Sequence, residues 1–336
     1  MTTNNNPIVV VVTVDQMLYQ GLRLVGFNCQ RVKSVSRTIN LERFCAHFGS
    51  NPIVYAQIWE DLQTTECSEA MITKKSAQLR YFLMAIYFLK CYSTESQLAA
   101  IFKISERTVR KWCWFYICRI QALKEAKVSK SMSLFAMPLE VSDDFLKIVW
   151  PTRWTPGHID FVNEDIPVFL LTVDGVHCQI HEPMHPTKSK DSTYYSHKFR
   201  RAALNYELGV SVNDNALVWL NGPFKAAQHD ITIFRSENGL KYQIAEGKRV
   251  IADRGYASKR DAKVLSTPNS HDPVEVRKLK SRARARHESF NGKIKNFRVL
   301  SECFRHTLDD HKSVFEAVCV ICQYQLENGS PLFDAA

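Results

Sequence analysis

Apolar residues recur at helical spacing in two parts of the chain. From about Lys74 to Leu123 they repeat every three or four residues, which predicts amphipathic helices. The same spacing returns from Lys278 to Leu300 and from about His311 to Leu326. Helices are therefore expected in the first half of the chain and again near its end.

Continuous apolar runs lie between these helical parts. The run IPVFLLTV at 166–173 is typical of a strand buried on both faces. Further strand-like runs lie near 202–212, 216–220 and 248–252, and a loop or helix through 225–245 precedes the last of them. Strands followed by a helix, another strand and more helices favour a mixed α/β sheet domain.

These elements predict four regions along the chain. Residues 1–70 mix apolar, basic and polar positions without a recognisable motif. Residues 71–127 are expected to form a helical domain, and residues 128–165, which contain three prolines, a linker. Residues 166–330 are expected to form the α/β domain, a mixed sheet flanked by helices.

The segment 94–116 has the pattern of a helix-turn-helix. TESQ at 94–97 is a capping box that begins one helix, and Ser105 is placed to cap a second helix after a short break. Val109 and Trp112 belong to an apolar stripe on that second helix. The residues left on its outer side are Arg107, Thr108, Arg110 and Lys111. A recognition helix presents such residues to DNA, although two packed helices with a solvated basic face give the same pattern.

Composition narrows the class of protein. The formal net charge of +10 favours nucleic acid as a partner through counterion release, although a merely basic soluble protein has the same balance. A hydrophobic fraction of 45% excludes a disordered chain. The early apolar run at 8–14 is too short to cross a membrane, and ten cysteines without zinc-finger spacing are expected to be reduced, buried thiols. A soluble intracellular protein is therefore expected.

Three carboxylates have the placement that polynucleotide chemistry requires. Asp174 directly follows the run IPVFLLTV, and Asp253 follows the short run RVIA. Both are therefore predicted at the carboxyl ends of strands, where α/β sheets build their sites. Glu288 lies in the helical segment that follows. Two Mg²⁺ ions about 3.5–4 Å apart would suit this set, with Asp174 bridging both ions and the other two carboxylates each completing one.

The helix that contains Glu288 has a polar and an apolar face. At about 100° per residue, the polar face holds Arg284, Glu288, Asn291 and Lys295, opposite Ala283, Phe290, Ile294 and Phe297. A solvated salt-bridging face looks the same, but the two aspartates favour a functional one. Arg284 and Lys295 are expected to hold phosphates. The basic runs at 277–286 and 197–201 are expected to follow the DNA backbone, with ordinary solvated surface as the alternative.

Four motifs carry a family resemblance: DGVH (174–177), the HD of AAQHDITIF (226–234), ADRGY (252–256) and RARHESFNGKIK (284–295). With them, residues 168–325 resemble the DDE superfamily endonuclease domain of PIF/Harbinger-type transposases. They are also similar to bacterial insertion-sequence transposases, in which an arginine four before and a lysine seven after the glutamate match Arg284 and Lys295. Ser281 stands where those relatives have a tyrosine. The segment 94–112 resembles the helix-turn-helix that precedes this domain in the eukaryotic family.

The resemblance implies an RNase H-like fold and dependence on Mg²⁺ or Mn²⁺. It implies hydrolysis at transposon ends, followed by attack of the new 3′-hydroxyl on target DNA. Double-stranded DNA, an oligomer assembled on it and a Myb-like accessory protein are the implied partners, with a nuclear location in a eukaryotic host and a cytoplasmic one otherwise. Asp230, the aspartate of the HD motif, is counted with the metal ligands in some alignments; helix capping or support of a ligand is the other interpretation.

Three hypotheses for function follow. The first is an active transposase, the second a domesticated DNA-binding protein that has lost strand transfer, and the third a cellular nuclease without recognition of transposon ends. The presence of Asp174, Asp253 and Glu288 favours the first or the third.

Overall fold

The computed structural model describes residues 11–64, 78–129, 168–183, 191–212, 214–244 and 248–335. Its described residues form two compact units. The first unit takes its residues from Met1–Lys124, Ile294–Ser301 and His306–Ser330, and the second from Glu125–Lys293, Glu302–Arg305 and Pro331–Ala336. The expected linker at 128–165 lies outside the described residues except for its first two positions. The functional boundaries given above stay predictions.

The elements follow the chain in a helical group, a strand-rich group and a final helical group. The helices are α1 (Val14–Leu24), α2 (Cys29–Lys33), α3 (Arg37–Phe48), α4 (Pro52–Thr64), α5 (Leu79–Cys91), α6 (Glu95–Phe102), α7 (Glu106–Ala122), α8 (Asp230–Phe234), α9 (Val274–Lys295), α10 (Arg298–Ser301) and α11 (Leu308–Glu327). The strands are β1 (Val168–Gln179), β2 (Tyr195–Ser196), β3 (Arg201–Ser211), β4 (Leu217–Lys225), β5 (Lys248–Ala252) and β6 (Leu265–Ser266).

Side-chain caps explain where several helices of the first unit begin. Thr13, Thr94 and Thr307 each form a capping box with the residue three positions later. Ser36 caps α3 in the same way through its hydroxyl, which accepts the backbone N–H of Ile39. Helices α1 to α4 thus occupy a region for which no element was predicted from the sequence, and Thr13 and Ser36 mark where α1 and α3 begin.

Large aromatic side chains form the core of the first unit. Tyr55, Phe82 and Tyr116 are fully buried, and the ring centroids of Phe82 and Tyr116 lie 5.7 Å apart in an edge-to-face arrangement. Val109 and Trp112 of α7 are also buried, which confirms the apolar stripe predicted on that helix. Helices α6 and α7 therefore pack as the sequence pattern indicated.

The second unit is built on one mixed sheet. Its six described strands have the order β2-β3-β1-β5-β6, with β4 also paired to β3. Strand β1 is antiparallel to β3 and parallel to β5, which is parallel to β6. Antiparallel pairing on one side of β1 and parallel pairing on the other is consistent with an RNase H-like fold. The predicted class, an all-α amino-terminal region and a mixed sheet flanked by helices, is confirmed.

Both faces of the sheet are covered. One face packs against an apolar cluster that includes Val173, Phe234 and Tyr256. The other packs against α9 through Leu279 and Ala283, which lie with Ile251 in a second cluster. Coverage of both faces explains why strand β3 is buried at every position after Arg201 rather than at every second one.

Two predicted elements differ in extent. Strand β1 continues through Gln179, so Asp174 lies within a strand and not after its end. In the segment predicted as a loop or helix through 225–245, the described helix is the short α8, followed by a 3₁₀ turn at Leu240–Gln243. None of the described helices is both long enough and apolar enough to cross a bilayer.

Candidate metal centre and nucleic-acid interface

Asp174 and Asp253 lie side by side at the point where two parallel strands separate. The ladder between β1 and β5 ends with the pair Val173 and Ala252, and the two aspartates are the next residues of each strand. Neighbouring strands are about 4.8 Å apart, so the two aspartates, which both follow the last pair of this ladder, begin from neighbouring backbone positions. The prediction that Asp174 follows a strand was wrong, but the parallel pairing still ends just before it.

Local hydrogen bonds hold both carboxylates. Asp174 accepts the backbone N–H of Gly175 at 2.8 Å through Oδ1 and the side-chain amide of Asn291 at 3.1 Å through Oδ2. Asp253 accepts the backbone N–H of Gly255 at 2.7 Å through Oδ1, because it caps the 3₁₀ turn Arg254–Tyr256. The lone pairs that these bonds leave are available to a ligand.

The electrostatic environment of Asp174 favours a bound cation. Burial raises the pKa of Asp174 from its ordinary 3.8 to about 6, against the lowering effect of the Gly175 N–H. The negative charges of Asp253 and Asp230 raise this pKa further, while Lys198 lowers it. A divalent cation would relieve the repulsion among these carboxylates, so the residues present fit such an ion.

Asp230 lies on the opposite face of β1 from Asp174. Side chains alternate along a strand, so a side chain at position 175 would point to the face opposite Asp174. A Cβ built on Gly175 would lie 2.6 Å from Oδ1 of Asp230, and that oxygen accepts the side-chain amide of Asn205 at 2.8 Å. Glycine at 175 is therefore required by the close approach of the Asp230 carboxylate.

The hydroxyl of Tyr256 lies near four carboxyl groups. Burial and the charges of Glu207, Asp230, Asp174 and Asp253, in that order, raise its pKa well above the ordinary value. Acidic groups from β1, β3, the start of α8 and the end of β5 thus converge on one part of the second unit.

Glu288 stands apart from this group. It is exposed on α9, three residues before Asn291. In the part of the chain that the structure describes, no three His, Cys, Asp or Glu side chains come close enough together to enclose a metal ion. Asp174 and Asp253 are neighbours in the register of β1 and β5, but the described side chains do not form a complete ligand shell in this conformation.

Asn205 and Glu207 are buried polar residues of β3 that the sequence analysis missed. Glu207 Oε2 accepts the indole N–H of Trp219 at 2.8 Å, while its Oε1 and the Oδ1 of Asn205 are buried without a hydrogen-bond partner among the described residues. Two polar residues at alternate positions within the run 202–210, which is otherwise without charged or amide side chains, are the signal that marks them. Burial raises the pKa of Glu207 from its ordinary 4.5 to about 8, so the carboxyl group is largely protonated at neutral pH.

Replacing Glu207 with glutamine is expected to remove part of the pH dependence of stability. Between about pH 4.5 and pH 8 the folded protein keeps a proton on Glu207 that the unfolded chain has lost, so the unfolding free energy of the wild type falls as pH rises. Glutamine resembles the protonated acid. We expect equal unfolding free energies near pH 5 and a variant more stable by on the order of 4 kcal/mol at pH 8.5. Urea titrations across this range measure the difference; parallel curves for the two proteins would contradict the assignment.

The basic run at 277–286 is partly structural. Arg286 is buried, and its guanidinium donates to the carbonyl oxygens of Ser211, Asp214, Leu332 and Phe333. Lys280 is also buried, with its amine 2.7 Å from Asp272 Oδ2. The expectation that this run follows DNA was therefore wrong for Arg286 and Lys280, because the sequence does not show which of its cations face inward.

Other predicted DNA contacts are more accessible. The basic residues at 197–201 are exposed, and Phe199 among them is half-buried. The charge of Lys198 lowers the pKa of Asp174. Arg284 is half-buried on α9. Lys295 belongs to the first unit, where its amine donates to the carbonyl oxygen of Leu300 at 2.8 Å.

The four residues predicted to contact DNA on α7 differ in their partners. Arg107 and Lys111 are exposed. Arg110 donates twice to the carboxylate of Glu95 on α6, at 2.9 and 2.5 Å, and Thr108 shares a hydrogen bond with Ser105 at 2.8 Å. Thr108 and Arg110 therefore help to fix the turn between the two helices.

None of the cysteines in the described residues forms a disulfide. Cys113, Cys319 and Cys322 are buried, as expected, whereas Cys118 is exposed, contrary to the prediction. Its position on α7 falls outside the buried stripe of that helix.

Comparison with known proteins identifies one similar family. Residues 173–323 match a family model described as DDE superfamily endonuclease. No curated protein and no solved structure matches the chain. The matched segment contains all four predicted acidic residues, Asp174, Asp230, Asp253 and Glu288. Residues 173–323 of this chain are thus similar to a DDE superfamily endonuclease.

Proposed function

We propose that this protein is a PIF/Harbinger-type transposase, which cuts DNA at transposon ends and joins the new 3′ ends to target DNA. The observation that carries the proposal is the pair Asp174 and Asp253, adjacent in register within a segment that matches the endonuclease family. Phosphodiester hydrolysis transfers the phosphoryl group to water and strand transfer passes it to a 3′-hydroxyl, so one acidic centre that activates an oxygen nucleophile serves both steps.

Asp174, Asp253 and Glu288 are the proposed catalytic residues and ligands of Mg²⁺ or Mn²⁺. When bound, two such ions polarise the phosphodiester and stabilise charge on the attacking and leaving oxygens. Asp174 and Asp253 would share the cations between strands, while hydrogen bonds from Gly175 and Gly255 fix their orientation.

The rotation of α9 supports Glu288 as the third carboxylate. Thr172 on β1 is bonded to His287 at 2.7 Å, so this side of α9 faces β1. Arg286 reaches the carbonyl oxygen of Ser211 at the end of β3, on one side of β1. Glu288 is about 200° further around the helix than Arg286, which directs it toward the other side, where β5 leads into Asp253.

Asp230 is proposed to support the site from the opposite face of β1. Its bond to Asn205 and its contact with Gly175 hold its charge beneath the strand that carries Asp174. From there it raises the proton affinity, and hence the cation affinity, of Asp174 without sharing its face of the sheet.

Double-stranded DNA is the proposed substrate and target. Lys198, whose charge acts on Asp174, is proposed to hold a phosphate next to that carboxylate. The other cations at 197–201 are proposed to contact the DNA backbone, as are Arg284 and Lys295 along α9. An oligomer assembled on DNA, a Myb-like partner and a nuclear location belong to the same proposal.

Helices α6 and α7 are proposed to bind transposon ends. Replacing Arg107 with alanine is expected to weaken end binding about tenfold, because Arg107 is exposed near the start of α7 and free to reach a phosphate or base. Arg110→Ala is the matched comparison, since Arg110 is held by Glu95 and its loss should change binding less. Titration of labelled end DNA measures both; equal affinity of Arg107→Ala and wild type would assign these helices a structural role.

Removal of divalent cations tests the proposed activity. The wild-type protein is expected to nick a plasmid that carries the genomic sequence flanking its own coding region in Mg²⁺ or Mn²⁺, and to stop in excess EDTA. Nicking confined to the flanks supports a transposase, whereas nicking without preference for them would indicate a nuclease that does not recognise ends. Binding without nicking in either metal would favour a domesticated DNA-binding protein.

A further inference from the structure

Two side-chain hydrogen bonds join β1 to α9, and they are separated by a similar distance along the strand and along the helix. Thr172 Oγ1 is bonded to His287 Nδ1 at 2.7 Å, and Asn291 Nδ2 donates to Asp174 Oδ2 at 3.1 Å. Two residues advance about 6.7 Å along a strand, and four residues advance about 6 Å along a helix. The helix therefore runs along β1, and one position of the helix satisfies both hydrogen bonds.

The first of these bonds is buried and fixes the helix. His287 is 2% exposed, Thr172 is 2% exposed, and the neighbouring Phe290 is fully buried. Burial lowers the pKa of His287 to about 4, so the imidazole is neutral at physiological pH. Asn291, one turn later, is thus presented to Asp174 by a helix whose position is already set.

The second bond fixes the orientation of the side-chain amide of Asn291. An ionised carboxylate only accepts hydrogen bonds, so the NH₂ group of Asn291 must face Asp174. The opposite atom, Oδ1, is buried and has no hydrogen-bond partner among the described residues. A buried amide oxygen without a donor is costly, which indicates that this side chain is held for a purpose other than stability.

We infer that Asn291 is a positioning residue of the metal centre, which fixes the side chain of Asp174 so that its carboxylate stays beside Asp253. This inference rests on the proposed function. Asn291 acts on Asp174 from α9, while Gly175 holds the other oxygen of the same carboxylate from the backbone. Partners that orient a metal ligand typically change metal affinity 10- to 100-fold when removed.

Binding of Mn²⁺ to the full-length protein tests this inference. Isothermal titration calorimetry of Asn291→Ala is expected to give a dissociation constant for Mn²⁺ at least about tenfold above that of the wild type. The Mn²⁺ concentration for half-maximal nicking should rise in proportion, while the nicking rate at saturating Mn²⁺ stays within about threefold, because the ligands themselves remain. Ser289→Ala, on the exposed side of the same helix, is the matched control and should bind Mn²⁺ like the wild type.

The two failures are distinguishable. A folded Asn291→Ala protein that binds Mn²⁺ within about twofold of the wild type would overturn the role of Asn291 and leave the proposed function intact. A wild-type protein that neither binds Mn²⁺ nor nicks DNA would overturn both. If Asn291→Ala does not fold, Asn291→Leu, which has a similar volume and no donor, carries the same expectation and is judged by the same limit.

Discussion

Asp174→Ala is expected to reduce DNA nicking by on the order of a thousandfold or more, while DNA binding stays within about twofold of the wild type. Asp174 is the carboxylate on which the others act. It accepts a hydrogen bond from Asn291, and the charges of Asp253 and Asp230 raise its pKa. Its removal would leave the proposed cations without a shared ligand. Gel-based nicking rates in Mn²⁺ and filter-binding affinities measure the two effects separately.

Asp253→Ala and Glu288→Gln are expected to give losses of the same order. Glu275→Gln is the matched control, because Glu275 is an exposed carboxylate on the same helix whose partner is Lys278, and its activity should equal that of the wild type. A variant at Asp174, Asp253 or Glu288 that cuts normally would remove that residue from the site. Loss of DNA binding in parallel with nicking would instead mean that the variant is unfolded.

Arg286→Ala is expected to destabilise the protein by about 3 kcal/mol and to lower its unfolding temperature by roughly 10 °C. The guanidinium joins the end of β3, the turn after it and the carboxyl-terminal segment through carbonyl oxygens, including those of Ser211, Asp214 and Phe333. Removing it leaves these acceptors without their donor. Thermal unfolding followed by circular dichroism measures the effect.

Arg282→Ala is the control for Arg286→Ala. Arg282 is exposed and donates to one carbonyl oxygen, that of Asp334 at 2.8 Å, so its loss should cost less than about 1 kcal/mol. If Arg286→Ala kept the stability of the wild type and lost DNA affinity instead, Arg286 would be a DNA contact and its buried position would be contradicted.

The sequence predicted the fold class because its strongest signals are local. The run at 166–173, the later strand runs and the apolar stripe of α7 each reflect burial of neighbouring residues. Helices α1 to α4 were missed although α1 has a capping box at Thr13 and an apolar face at helical spacing, with Met17, Leu18 and Leu22 buried. The return of α11 to the first unit depends on contacts between distant parts of the chain, which no local pattern records.

The candidate site was only partly predictable from the sequence. Asp174 and Asp253 were found because each follows an apolar run, but their adjacency depends on the parallel register of β1 and β5. The helical wheel placed Asn291 beside Glu288, yet the bond from Asn291 to Asp174 follows from how α9 is rotated against β1. Arg286 looked like a DNA contact because the charge of a side chain does not show whether carbonyl oxygens surround it.

A crystal structure of the protein with Mn²⁺, in which anomalous scattering locates the metal, tests most directly whether Asp174 and Asp253 share a metal site. We expect an anomalous peak between Asp174 and Asp253, with carboxylate oxygens at about 2.1 Å and Glu288 turned toward it from α9. Mn²⁺ bound elsewhere, or the carboxylates of Asp174 and Asp253 directed away from each other in saturating Mn²⁺, would contradict it.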